Sequence, residues 1–510
     1  MRDPGDVRHR DPDLPEREAP VRARGVPPRR PVRLARRQGH AAEGRERAHP
    51  EGVPEQPDGA VGANLGVPGA RVRPDRRPAP AGAEGDHRRP RADDQARLRP
   101  RRRRKEGGEE VTRYLLTFAL ASALAPALAA ADWPQFKGPN ATGVSTEKGL
   151  PAEWGKDKGV AWQAKLPARG VSSPVVVAGR VYVTCSSGVR DDRLHVLCFD
   201  AGTGKQLWHR QLQATGGTAA HPKSCMAANT PVADADGVYA LFATGDLAAF
   251  DADGTLRWYR SLVGDYPTIT NQIGMAASPI LVGDKLIVPM DNAGESFLAA
   301  VDTKYGKNVW KAERPRDSNW TTPITRAVGS TTEVLFDGPS GLTAYDAASG
   351  DKRWSSKASK GSIPTGTLDG DTLYLPTGGV SAFKLGAQGV AEKPSWTAKD
   401  VQSGMPSPLV YLGRVYAVTG QGLVSCAETK TGKTLYKERL KGAFSASPVA
   451  ADGKVYFLNE TGSCAVLDAK ADGFEVLATN DLPGETLGTP AIARGRIFIR
   501  TDKALYAIGK

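Results

Sequence analysis

Three polar segments of this chain gather the residue types that do chemistry. His221-Pro222-Lys223-Ser224-Cys225-Met226-Ala227-Ala228-Asn229 carries an imidazole, an amine and an amide close together. Asp265-Tyr266-Pro267 through Asn271-Gln272 and Glu313-Arg314-Pro315-Arg316-Asp317-Ser318-Asn319 set Tyr, Asn and Arg beside carboxylates. A fourth stretch, Asp291-Asn292-Ala293-Gly294-Glu295-Ser296, adds two acids and an amide. The binding candidates are therefore His221, Lys223, Tyr266, Asn271, Asp291, Asn292, Glu295, Arg314 and Arg316. Their chemistry is recognition of a polar ligand or a partner surface. The plainer alternative is that they cap strand ends and bridge neighbouring elements. No catalytic set is assigned, because nothing ties His221 to a particular serine as a nucleophile triad requires. Asp291 with Glu295 has the oxygen ligands calcium takes, yet their spacing matches no calcium loop, so no metal site is assigned.

Cysteine chemistry is limited in the same way. The five thiols are Cys185, Cys198, Cys225, Cys426 and Cys464. No CxxC, HxxxH or Cys/His cluster has zinc spacing. The odd count leaves at least one thiol free or paired with another molecule. Cys198 and Cys426 fall at the same place in two repeats, as small buried apolar residues would.

The elements that position these loops form a repeat. Its fullest copy runs Ser173-Pro174-Val175-Val176-Val177, Gly179-Arg180-Val181-Tyr182-Val183, Leu194-His195-Val196-Leu197-Cys198-Phe199-Asp200, then Gly204-Lys205-Gln206-Leu207-Trp208. These are four short strands rich in Val, Leu and aromatics, with Gly, Asp or Ser between them. The same order returns at Ser278-Pro279, Thr322-Pro323, Ser407-Pro408 and Ser447-Pro448. The aromatic of the fourth strand recurs at Trp208, Trp258, Trp310, Trp354, Trp396 and Tyr436, roughly 40–50 residues apart. In the seventh repeat Leu477 takes that place. The last repeat, from Thr489-Pro490 to Tyr506-Ala507-Ile508, has only three strands. The missing fourth is Val160-Ala161-Trp162-Gln163-Ala164-Lys165-Leu166, near the other end of the repeat array. A ring accounts for both facts and removes an exposed sheet edge.

The fold class is therefore all-β: an eight-bladed β-propeller of four antiparallel strands per blade, closed by the N-terminal strand. Seven blades is the alternative if the irregular fifth is not a full blade. Trp162 and the six recurring aromatics are read as structural, filling the widening gap between sheets near the outer rim.

This Gly-x-x-x-Trp repeat, with Asp ending the third strand, resembles the PQQ-repeat β-propellers. That superfamily holds the quinoprotein alcohol dehydrogenases and the outer-membrane assembly factor BamB. Trp133-Pro134-Gln135-Phe136-Lys137-Gly138-Pro139-Asn140 looks like the opening of the exported, BamB-like branch. The resemblance implies a fold strongly and a function weakly. Dehydrogenases of this kind hold PQQ against a pair of adjacent cysteines and a calcium ion. No two cysteines are adjacent here, and there is no CxxCH haem motif. The expectation is an exported, non-catalytic binding or scaffolding propeller without a cofactor. Its partners would be envelope or extracellular proteins, or a small polar ligand. The alternatives are a PQQ- and calcium-dependent alcohol or sugar dehydrogenase and a BamB-like assembly factor.

The flanking sequence bears on location. Residues 1–110 hold 27 Lys+Arg against 19 Asp+Glu, so the formal charge of +13 lies mostly there. This Arg/Pro-rich stretch has no Phe, Trp, Tyr, Ile, Cys, Ser or Thr, too little apolar surface to order a backbone. It reads as disordered, with the character of upstream GC-rich DNA translated from too early a start. The purine-codon run Lys105 to Glu110 directly precedes Val111, which an internal GTG start would encode. Residues 111–131 then read as a signal peptide: Arg113, an apolar stretch to Leu128, and small residues up to Ala131. Cleavage after Ala131 would leave residues 132–510 as a periplasmic or secreted propeller. With the basic stretch set aside, the charge is mild and no nucleic-acid partner is expected. No transmembrane span and a monomeric state are expected.

Overall fold

Short apolar runs between Gly and Asp turns satisfy their backbone groups by pairing with the next run, and this chain does so eight times over. The computed structural model describes residues 131–510 except 156, 157, 271, 272, 360 and 362, all within one compact unit. The Arg/Pro-rich segment, the signal-peptide residues before Ala131, and Asn271 lie outside the described residues.

Blade 1 comprises Val175–Val177, Arg180–Ser187, Arg193–Asp200 and Gln206–Gln213, from the channel outwards. Blades 2, 3 and 4 begin at Val232–Asp234, Ile280–Val282 and Ile324–Val328. Blades 5, 6 and 7 begin at Thr367–Asp369, Leu409–Tyr411 and Val449–Ala451. Blade 8 combines Ala491–Ala493, Arg496–Arg500 and Ala504–Ile508 with Val160–Lys165, which pairs antiparallel with Ala504–Ile508. The chain is thus an eight-bladed β-propeller closed by its N-terminal strand. Blade 5 is the irregular one: a two-residue strand, Gly389–Val390, intervenes before Trp396–Ala398 completes the sheet.

The middle strands are buried on both faces because each sheet is sandwiched between its neighbours. Leu194 to Phe199 are all buried in the third strand of blade 1. Fourth strands face solvent on one side and leave a free edge. Each aromatic there opposes a small residue: Trp208 faces Cys198, Trp258 faces Ala249, Trp310 faces Ala300 and Tyr436 faces Cys426. Cys198 and Cys426 therefore stand where other blades carry alanine. All five cysteines are buried and free. A register shift beside the aromatic recurs in these four pairings. Such a bulge re-aims a side chain, here towards the next blade.

What the aromatic meets there is a glycine. Gly204, Gly254, Gly306, Gly350 and Gly432 all have positive φ, and a Cβ on each would lie 2.5–2.6 Å from the ring of Trp162, Trp208, Trp258, Trp310 or Trp396 respectively. The indole N–H donates to a carbonyl of the same turn, as from Trp162 to Ala201, Trp208 to Ala252 and Trp258 to Thr303. Ring face and N–H are thereby both satisfied by one turn of the adjacent blade. Trp354 differs: it faces blade 5, and its N–H goes to Glu333 of its own blade.

An N-terminal strap runs beneath the ring. Trp133 exchanges backbone hydrogen bonds with Val176 of blade 1, and Pro134 accepts from Ala233 of blade 2. Gly143 and Ser145 then pair with Ala450 of blade 7, and Glu147 accepts from the backbone of Arg494 and Gly495 in blade 8. Between these anchors Lys137 is buried; its ammonium donates to Thr367 Oγ1 at 2.6 Å and to the Pro408 carbonyl at 3.2 Å. Burial pulls its pKa down to about 7. Among the described residues no helix is long and apolar enough to cross a membrane.

Candidate functional site

The innermost strands all enter the channel from the same side, so equivalent residues of every blade meet around the axis. The Ser or Thr that opens each repeat forms a ring: Ser173, Thr230, Ser278 and Thr322, then Thr365, Ser407, Ser447 and Thr489. At seven junctions the hydroxyl of one blade accepts the backbone N–H of the equivalent residue in the preceding blade, at 2.9–3.2 Å. The blade 8 to blade 1 junction is bridged by Arg500. This buried guanidinium donates to Ser172 Oγ at 2.9 Å and the Thr184 carbonyl at 2.7 Å.

Two residues before each hydroxyl lies a second ring, at the mouth. Blades 1–4 contribute Val171, Ala228, Ala276 and Trp320; blades 5–8 contribute Ile363, Met405, Ser445 and Leu487. This mouth encloses about 290 Å³, and the hydroxyl-lined chamber below it about 110 Å³. Phe136 of the strap lines the lower chamber and forms its floor. The channel is therefore a funnel with an apolar rim, a hydroxyl throat and an aromatic base. Trp320 is fixed across the rim by its N–H, which donates to the Gly274 carbonyl at 2.8 Å.

The segment between blades 1 and 2 arches over this mouth. The His221 N–H donates to Ile273 O at 3.2 Å, reaching blade 3. On the other side Lys223 pairs with Glu460 of blade 7 at 2.8 Å. Arg169 donates to the carbonyls of Pro222 and Ser224. Among the residues singled out from sequence, His221 and Lys223 thus line the mouth.

The remaining candidates do not join them. Asp291 and Arg314 form a buried bidentate pair at 2.7 and 2.9 Å, with Asn319 and Ser296 also donating to the carboxylate. Asn292 closes its own hairpin by accepting from Gly294 N–H and donating to the Met290 carbonyl. Glu295 pairs with Lys311, which pulls its carboxyl below the usual range. Tyr266 packs against Phe297 with the rings tilted by 58°, and its hydroxyl accepts from Asn308. Arg316 is exposed on its loop. Asp291, Asn292, Glu295 and Arg314 are engaged by groups of blade 3 and its flanking loops, and Arg314 also donates to the Tyr345 hydroxyl of blade 4 at 3.1 Å.

One further polar group has a catalytic outline. Ser187 Oγ lies 2.7 Å from His195 Nε2, and His195 Nδ1 lies 2.9 Å from His209. Burial, with His209 and Arg193 nearby, lowers the His195 pKa to about 4. So weak a base is poorly matched to proton abstraction near neutral pH. The group joins three adjacent strands of blade 1.

Neither charge nor motif marks the eight rim residues as a set, and Phe136 stands out only as part of the opening motif Trp133 to Asn140. Their signal was phase: each rim residue sits two positions before the Ser or Thr that opens its repeat.

Residues 142–288, 272–365 and 376–476 match the family described as "Outer membrane protein assembly factor BamB". The BamB of Salmonella typhimurium is 24% identical over 339 residues, covering 57% of this chain and 82% of that protein. The Escherichia coli K12 BamB is 26% identical over 176 residues, 32% of this chain. That match spans less than half of the E. coli protein, 44% of its length. Among solved structures, BamB from Moraxella catarrhalis superposes with a TM-score of 0.50 at 16% identity, covering 69% of this chain and 97% of that one. A quinohemoprotein alcohol dehydrogenase from Comamonas testosteroni reaches 0.59 at 15% identity, covering 74% and 81%. At these identities the superpositions show a shared fold. The funnel offers no free acid for a calcium ion among the described residues. Its lining is aliphatic, aromatic and hydroxyl apart from His221 and Lys223 at the mouth, and the acids at the top face, Glu460 and Glu485, are engaged by Lys223 and Arg169. Among the described residues no group of three or more His, Cys, Asp and Glu is placed to hold a metal.

Proposed function

We propose, from the premise that this chain belongs to the family of the outer membrane protein assembly factor BamB, that it is a non-catalytic binding propeller of the cell envelope. Its ligand in this reading is a polypeptide of the outer membrane or of the machinery that assembles it. The export signal expected over residues 111–131 supports an envelope location. The observation that carries the reading is the mouth. Ile273, Ile363 and Met405, 46%, 41% and 44% exposed, leave apolar surface in water around one opening. A surface of that kind gains by covering.

A photo-crosslinking residue at Ile363 tests this, with one at Leu207 on the outer edge of blade 1 as control. The reading expects Ile363 to capture an outer-membrane protein or an assembly component in intact envelopes, with little capture at Leu207. Capture at Leu207 alone would move the binding face to the blade edges. Dye-linked alcohol oxidation after adding PQQ and calcium would replace this reading with the dehydrogenase one.

A further inference from the structure

We infer that the blind channel is a site for the carboxylate end of an apolar molecule or chain terminus, the apolar body lying in the rim and the carboxylate reaching the hydroxyl ring. This rests on the reading of the mouth as the binding face and adds what it binds.

The throat is built from donors. In seven of its eight members the hydroxyl oxygen already accepts a backbone N–H from the preceding blade. That bond uses a lone pair and leaves the O–H proton free to donate. Hydroxyl groups from all eight blades line one chamber of about 110 Å³, and among the described residues no charged side chain lines it with them. That volume holds about three or four waters at liquid density. A carboxylate is acceptor-only, with about four lone-pair positions. Its bonds from O–H donors are short and about twice as strong as neutral ones. A carboxylate that accepts several such bonds stays ionised without a cation beside it. Each hydroxyl also keeps one lone pair, so the preference rests on number: a carboxylate can take about four O–H donors at once, whereas an ammonium has three protons to give.

Above the ring the chemistry changes within one residue step. Trp320, held by Gly274, offers a flat face, with Ile363, Met405 and Leu487 around it. About 290 Å³ there accommodates a phenylalkyl group or one or two apolar side chains. Phe136 of the strap lines the chamber at the end away from the arch, so a ligand entering from the arch side meets its ring. A molecule apolar for most of its length and carboxylate at its tip matches both zones in order.

The test uses calorimetric titration of the full chain with phenylbutyrate, phenylbutanol and phenylbutylamine. The acid is expected to bind about tenfold tighter than the alcohol, the value of one charge-assisted bond gained, and the amine more weakly than either. Ala276→Trp fills the mouth without touching a hydroxyl. It should weaken the acid at least about tenfold and leave the unfolding midpoint in place. Thr322→Val removes one donor and should narrow the gap between acid and alcohol. A short apolar peptide with a free C-terminus, compared with its amide, separates the two sources. Loss of binding on amidation assigns the site to chain termini, and tight binding of phenylbutyrate alone assigns it to small organic acids. An acid no tighter than the alcohol, or unaffected by Ala276→Trp, overturns the inference. If crosslinking at Ile363 persists while no acid binds, the binding-face reading stands and this inference falls.

Discussion

Gly306 and Gly283 sit in two turns of the same blade and separate a backbone effect from a contact effect. Both have positive φ, 70° and 58°. A Cβ at Gly283 would meet nothing within 4 Å, whereas one at Gly306 would lie 2.6–3.0 Å from three ring atoms of Trp258. Alanine at either turn suffers the left-handed penalty of roughly 1–2 kcal/mol, partly offset by a less flexible unfolded chain. Gly283→Ala should therefore cost about 1 kcal/mol. At Gly306 the ring must retreat by about 1 Å to restore ordinary contact, an overpacking cost of roughly 1–3 kcal/mol. Retreat also loosens the Trp258 N–H bond to Thr303 O, 2.9 Å long, adding about 1 kcal/mol. Gly306→Ala should thus cost about 3–5 kcal/mol in all. Urea unfolding measures both, since in a domain this large about 1 kcal/mol moves the melting temperature by only about 1 °C. The excess should disappear when Trp258 is already alanine, because the two positions then no longer couple. Equal costs at Gly283 and Gly306, or an excess that survives Trp258→Ala, would refute ring-on-glycine docking.

Lys137→Met should stabilise the protein at pH 7. With its folded pKa near 7 and its ordinary value at 10.5, the unfolded chain binds the extra proton between those limits, so stability rises with pH across that window. The buried charge costs roughly 4–5 kcal/mol at pH 7 before its two hydrogen bonds offset part of it; urea midpoints at pH 7 and 9.5 should differ in the native chain and converge in the variant. Asp337 runs the opposite way, its pKa raised by burial from 3.8 to about 6. Stability held below the unfolded value is lost as pH rises through 6, so Asp337→Asn should gain more at pH 8 than at pH 4.5, by about 2 kcal/mol in the same assay. Arg314→Met strands the buried Asp291 carboxylate and should cost roughly 3–5 kcal/mol at neutral pH.

Much of the fold was written in a period. Four apolar runs and a Gly-x-x-x-aromatic mark each blade, and the three-strand remainder near Ile508 located the partner of the strand around Trp162. Blade 5 was the weak point because the turn after Gly386 lacks the Asp-to-Gly spacing of its neighbours. The site was less legible. Arg314, Asp291 and Glu295 look like ligand-binding groups in a one-dimensional list, but charge alone does not reveal that Arg314 folds back on Asp291 and Lys311 on Glu295. The rim is the converse case. Val171, Ala228 and Leu487 are unremarkable as residue types, and only the ring brings eight such positions to one axis.

The closing strand also sets an order of events. Blades 1 to 7 are contiguous in sequence, so each can form from nearby chain. Blade 8 must wait for residues 160–165 and 504–508 to meet. Bringing together ends some 340 residues apart costs about 5 kcal/mol in chain entropy, a toll that grows only slowly with length. Until it is met, blade 8 lacks its fourth strand and Trp162 lacks the strand pairing that holds it over the Gly204 turn of blade 1. Completion of the ring is therefore a late, long-range step, and its reverse is a natural first step in unfolding. A circular permutant joining Lys510 to Asp132 and opening between blades 3 and 4 would make blade 8 a local event and shift the late step to the new seam.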